Sequence, residues 1–116
     1  MGLSMHVLDT ARGCPGAGMR YRLYWLDGGG RALLRDGLTG ADGRAASPLL
    51  AQDEPRAGPY ELLFDVAAYF RAAGLVLSDP PFIDEVCLRF NVSDPAAHYH
   101  IPLICSPYGY TTYRGS

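Results

Sequence analysis

The sequence predicts an all-β chain, a two-sheet β-sandwich of seven to eight strands with one short helix. Three observations carry that expectation. Apolar and polar residues alternate with period two in one segment after another, the pattern of sheets with one buried face. A single stretch changes to helical spacing. A length of 116 residues suits one domain around one hydrophobic core, so residues 1–116 are read as that domain.

The elements follow in order. In residues 3–9, Leu3, Met5 and Val7 point one way and Ser4, His6 and Leu8 the other. In residues 19–26, Met19, Tyr21, Leu23 and Trp25 oppose Arg20, Arg22 and Tyr24. Gly28-Gly29-Gly30 makes a hairpin loop into a strand over Ala32–Leu38. Residues 60–66 place Tyr60, Leu62, Phe64 and Val66 on one side. Val66, Tyr69, Phe70 and Ala73 then recur at helical spacing, with Gly74 as the C-terminal cap. Pro80-Pro81 and Asp94-Pro95 mark turns around a strand over 84–92, whose inward residues are Val86, Leu88, Phe90 and Val92. Residues 98–105 place Tyr99, Ile101, Leu103 and Cys105 inward, and a last strand runs from about Tyr108 to Tyr113.

Composition narrows the function. A net charge of −2 argues against a nucleic-acid partner, while 48% hydrophobic and 19% charged residues are ordinary for a soluble globular domain. All basic side chains are Arg; the absence of Lys excludes lysine-nucleophile chemistry. Cys14, Cys87 and Cys105 are odd in number and form no C-x-x-C pair, so free structural thiols in a reducing cytoplasm are expected. The N-terminal residues lack a signal-peptide profile, and no apolar run approaches a membrane span.

The chemistry lies in three histidines and the last residues. Imidazole titrates near neutral pH and can give and take protons. His6, His98 and His100 all face away from the predicted core, and if the first strand neighbours the 98–105 strand, His6 and His100 meet on the outside of one sheet. Alternation alone favours plain polar residues on a solvated face. Arg44, just after the Asp42-Gly43 turn signal, and Arg114 are by themselves ordinary surface charges; the rival reading is a guanidinium fork orienting a planar, electron-rich ligand. Tyr99 reads as a strand former. Ser116 has no G-x-S-x-G elbow to make it a nucleophile. Two histidines two apart on a strand could share a metal, but no carboxylate or further ligand falls at an expected spacing, which makes a metal site the weaker reading. The tail Tyr113-Arg114-Gly115-Ser116 concentrates hydroxyls, a guanidinium and a glycine where tails usually fray.

Ser4-Met5-His6-Val7-Leu8-Asp9-Thr10, the turn Asp42-Gly43-Arg44, and the run from His98 to Ser116 resemble the 5-hydroxyisourate hydrolases, the transthyretin-related enzymes of purine catabolism. The likeness spans essentially the whole chain. Ile104-Cys105 stands where the family usually has two leucines, and the loop Arg12–Gly18 is richer in glycine and cysteine than usual. The resemblance implies a transthyretin-like sandwich, assembled as a homotetramer with sites where dimers meet. It implies His6, Arg44, His100 and Ser116 as the catalytic set, with His6, Arg44, His98, Tyr113, Arg114 and Gly115 contacting substrate. The implied reaction opens the six-membered ring of 5-hydroxyisourate, giving 2-oxo-4-hydroxy-4-carboxy-5-ureidoimidazoline in urate degradation, with no metal and no organic cofactor. An outward face bearing His6, His100 and Leu8 would suit a partner subunit better than water. Two rival readings stay open, a transthyretin-like carrier of a small aromatic ligand and a metal-dependent hydrolase.

Overall fold

Alternation resolves into two four-stranded sheets in the computed structural model, which describes residues 2–51 and 54–115. Their elements are β1 (Gly2–Asp9), β2 (Cys14–Pro15), β3 (Arg20–Asp27), β4 (Gly30–Leu38), β5 (Gly58–Asp65), α1 (Val66–Ala72), β6 (Glu85–Val92), β7 (His98–Ser106) and β8 (Gly109–Thr112). One sheet runs β2-β1-β7-β8 and the other β4-β3-β5-β6. Every expected strand is present within a residue or two of its expected bounds. The two-residue β2, in what reads as a loop, is an addition; it pairs Leu8 with Pro15 and Asp9 with Cys14.

The inward rows of both sheets meet in one core. Leu3, Met5, Val7, Met19, Leu23, Leu62, Phe64, Val86 and Leu103 are all buried there, and each large apolar side chain so buried is worth about 1.5–3 kcal/mol. Trp25, Tyr60 and Phe90 continue it as an aromatic stack, with Tyr60 edge-on to Trp25 and parallel to Phe90. Helix α1 closes one end with Val66 and Phe70. It stops because Gly74 takes a left-handed turn (φ 92°), its N–H bonding to Arg71 while that of Leu75 bonds to Phe70. Among the described residues no helix is long and apolar enough to cross a membrane.

A buried carboxylate ties the helix to the first sheet. Asp9 is 1% exposed and accepts the Tyr69 hydroxyl at 2.7 Å, Arg12 Nε at 2.9 Å and the Arg12 backbone N–H at 3.0 Å. Burial alone would push this carboxyl up, but the bonds from Tyr69 and Arg12 outweigh it and hold it below the ordinary carboxylate range. Burial and the same carboxylate push Tyr69 up to about 12. Replacing Asp9 with alanine leaves a buried phenol without its acceptor, so we expect a loss of about 1–3 kcal/mol in urea unfolding at pH 7. The sign with pH follows from the depressed native pKa. The stabilisation is present above the unfolded carboxylate pKa and is lost as pH falls through the native one, so the gap between wild type and Asp9→Ala should narrow in acid. Equal midpoints at pH 7 would refute this role.

The pairing that matters for function is β1 with β7. These strands run parallel, with Leu3 beside Tyr99, Ser4 beside His100 and His6 beside Pro102. Sequence-distant polar residues of the two outward rows therefore lie side by side.

Candidate active site

His6 is fixed from the loop that follows β4. Asp42-Gly43-Arg44 is a tight turn in which the Asp42 carboxylate accepts the Arg44 N–H at 3.0 Å and Gly43 has φ 78°. The turn docks on β1 by an antiparallel bridge between His6 and Arg44, with the Val7 N–H donating to the Gly43 carbonyl at 2.8 Å. His6 Nε2 lies 2.8 Å from the Asp42 carbonyl oxygen. A carbonyl can only accept, so Nε2 carries the proton and a neutral His6 presents Nδ1 as its basic atom. Arg44 is exposed, and its guanidinium has no ion pair among the described residues. It shares with Ser4 the wall of a cavity of about 180 Å3.

His100 is held from two sides. Its Nδ1 lies 2.8 Å from Ser4 Oγ, and the same oxygen is 3.3 Å from Nε2 of His98. On the other side the tail bridges back to it, the Gly115 N–H donating to the His100 carbonyl at 2.7 Å. A Cβ on residue 115 would sit 2.7 Å from His100 Cδ2, so glycine is what lets the tail lie against the ring. The His100 imidazole is half-buried. Burial first, then the positive charges of Arg44, His98 and His6, hold its pKa below the ordinary histidine value of 6.5. Those three named charges act on one ring, which places His6, Arg44, His98 and His100 in a single electrostatic neighbourhood.

The tail splits at Arg114. Its guanidinium carbon sits 4.1 Å from the centre of the Tyr99 ring, and an N–H donates to the His98 carbonyl at 3.2 Å. Tyr99 belongs to the core-facing row, so this guanidinium is turned away from the imidazoles. Tyr113, 57% exposed, borders with Arg114 a cavity of about 380 Å3 between β6 and β8. The structure thus brings His6, Arg44, His98, His100 and Gly115 together and places the Tyr113 and Arg114 side chains at the sandwich edge. Ser116 lies outside the described residues. Tyr99 does more than form strand: its hydroxyl accepts the N–H groups of Ser93 and Asp94 at 3.1 and 3.0 Å, fixing the turn before β7.

The thiols stay out of this arrangement. Cys105 is buried and pushed up to about 12 by burial and by Asp9, and exposed Cys87 is raised by burial and by Glu61. Among the described residues no three His, Cys, Asp or Glu side chains group as metal ligands. Ser4 was the residue that sequence reasoning passed over. The available signal was its position, two before His6 and so on the same outward row.

His6, Arg44, His98, His100 and the Gly115 backbone lie together on one face of a two-sheet sandwich, where imidazoles can move protons and a guanidinium can meet developing negative charge, equipment of the kind a hydrolase uses. A sequence model of the HIUase/Transthyretin family matches residues 3–115, and the chain belongs to that family. It is 53% identical over 114 residues to the 5-hydroxyisourate hydrolase of Mesorhizobium japonicum, covering 98% of this chain and 91% of that protein. Among solved structures, the 5-hydroxyisourate hydrolase of Klebsiella pneumoniae superposes with a TM-score of 0.81 at 31% identity, covering 100% of both chains. Transthyretin from Sparus aurata superposes with a TM-score of 0.86 at 27% identity, covering 97% of this chain and 95% of that one.

Proposed function

We infer that this chain hydrolyses 5-hydroxyisourate to 2-oxo-4-hydroxy-4-carboxy-5-ureidoimidazoline, a step of urate degradation. The single observation that carries the reading is the convergence of His6, Arg44 and His100 on one outward face. The hydrolase names of the near-full-length relatives support it. The bond opened is a ring amide. His6 and His100 position the water and take its proton; a ring kept neutral by burial and positive neighbours is suited to accept one. Arg44 holds the heterocycle and the oxygen on which charge develops, a contribution of about 3 kcal/mol for one good donor. His98 and Gly115 contact the substrate beside them. Ser116 is assigned to the catalytic set by the family resemblance alone, and Tyr113 and Arg114 are assigned to substrate binding on the same ground. The Arg114 bond to the His98 carbonyl helps hold the tail in place. No cofactor is required by this chemistry.

The rest of the reading concerns setting. Residues 1–116 form one transthyretin-like domain, and four copies assemble with their histidine faces towards one another. Half-buried His6, His100 and Leu8 on an outward sheet face support that arrangement. Free Cys14, Cys87 and Cys105 support a reducing cytoplasm. The second reading, a carrier of a small aromatic ligand, is favoured by the transthyretin superposition but has to explain the imidazoles.

One assay separates them. 5-Hydroxyisourate generated freshly from urate is followed by its absorbance with and without the purified protein. Accelerated decay, unaffected by chelator, is expected. A carrier leaves the spontaneous rate unchanged, and chelator-sensitive decay would favour the metal-dependent alternative.

A further inference from the structure

Ser4 makes an unusual link. A hydroxyl has one proton to donate and two lone pairs to accept with, and here it stands between two imidazoles, 2.8 Å from Nδ1 of His100 and 3.3 Å from Nε2 of His98. Only two directed arrangements satisfy all three groups. In one, His98 Nε2–H donates to Ser4 and Ser4 donates to His100 Nδ1. In the other, both bonds are reversed. The parallel register of β1 on β7 builds this link, since Ser4 is directly beside His100 and one step from His98 on the same face. His100 Nε2 has no hydrogen-bond partner among the described residues, so it is the ring atom left for substrate water. His98 is exposed at the other end.

We propose that Ser4 is a positioning residue: it sets which nitrogen of His100 faces the substrate and connects that ring, through His98, to solvent as a path for the proton taken from water. The step balances. Water loses a proton to His100 Nε2 as its oxygen attacks the ring carbonyl, whose electron pair moves onto the oxygen facing Arg44. When that pair returns and the ring C–N bond breaks, the remaining hydrogen of the former water passes to the leaving nitrogen and a carboxylate is left. The Nδ1–H bond of His100 then breaks as a new O–H bond forms at Ser4, and the original Ser4 proton passes to Nε2 of His98. His100 is again neutral, and His98 carries the charge at the outer end of the path, where water that reaches the site with the substrate can remove it. Besides His98, the titratable and charged groups acting on the His100 ring are His6 from β1 and Arg44 from the loop after β4; the Asp42 carboxylate beside them accepts the Arg44 N–H. On the far side, Arg114 binds the His98 carbonyl and leaves the ring free.

This inference rests on the hydrolase reading, so its test needs an arm that does not use activity. Nitrogen-15 NMR of the wild-type imidazoles should show His100 predominantly as one tautomer, and Ser4→Ala should release it into a mixture whether or not the protein turns over 5-hydroxyisourate. In kinetics, Ser4→Ala should lower kcat about 10- to 100-fold with little change in KM and displace the acidic limb of the pH–rate profile. Ser4→Thr, which keeps the hydroxyl, should restore most of the rate. His98→Asn should resemble Ser4→Ala, and the double variant should be no slower than either single one, because both break the same path. Native far-UV spectra check that the variants fold. An active wild type with Ser4→Ala unchanged in rate, pH profile and His100 tautomer overturns the proposal while leaving the hydrolase reading standing. Additive losses in the double variant overturn the path. An inactive wild type with the tautomer shift intact counts against the reaction and not against the positioning.

Discussion

Replacing His100 with alanine should slow hydrolysis of 5-hydroxyisourate by about two to four orders of magnitude while the far-UV spectrum stays native. The two halves of that expectation have separate causes. The ring lies on the outward row of β7, opposite core residues Tyr99, Ile101 and Leu103, so its loss opens no core cavity. Chemistry suffers because a half-buried base flanked by Arg44, His98 and His6 is hard to replace by solvent. The pH dependence has a definite sign. A base accepts a proton only when neutral, so activity falls as pH drops through the native pKa of His100. That pKa is held below 6.5 by burial and by its positive neighbours, so the acidic limb of the wild-type profile should lie on the acid side of 6.5. His6→Ala should lose rate to a similar degree, since its Nδ1 is the only basic atom left once Nε2 is committed to Asp42. Full activity in His100→Ala would remove it from the mechanism.

Gly43→Ala should cost stability and activity together. Gly43 holds a left-handed backbone with φ 78°, which a side chain disfavours by about 1–2 kcal/mol. An added Cβ would also collide with the Val7 carbonyl and press on Gly16 N at 3.2 Å. That carbonyl is engaged by the Gly16 N–H at 2.9 Å, and Gly43 itself accepts from Val7, so the turn cannot retreat without breaking bonds. Displacing it moves the Asp42 carbonyl from His6 and shifts Arg44. We expect unfolding free energy to drop by about 2–3 kcal/mol and the rate to fall at least about 10-fold at temperatures far below melting. A variant as stable and as active as wild type would show that this turn does not hold the site.

How much of this was visible in the sequence depends on the range of the interaction. Faces were legible because a one-sided sheet writes its burial into every second residue. His6 and His100 were read as outward for that reason, and both are. Which outward residues become neighbours is set by β1 pairing with β7 across most of the chain, and no local pattern encodes that register. Ser4 therefore passed as a plain polar residue. Asp42-Gly43 announced a turn, but its docking against Val7 depends on β2 and Gly16, and a two-residue strand leaves no periodicity. The tail's composition suggested a binding role for all its members. Its glycine serves as a point of close approach to His100, while the Arg114 guanidinium lies over the Tyr99 ring, a contact that the composition of the tail does not encode.

The bond between Ser4 and His100 joins positions separated by 96 in the chain. Closing so large a loop is entropically late, and contacts of this range characterise slow-forming topologies. Hairpins such as β3–β4 can gather early, whereas the β1–β7 seam needs nearly the whole polypeptide in place. With the site proposed on this seam, activity becomes a report on completed folding: a chain with most of its secondary structure but an open seam is expected to look folded to circular dichroism and be inert.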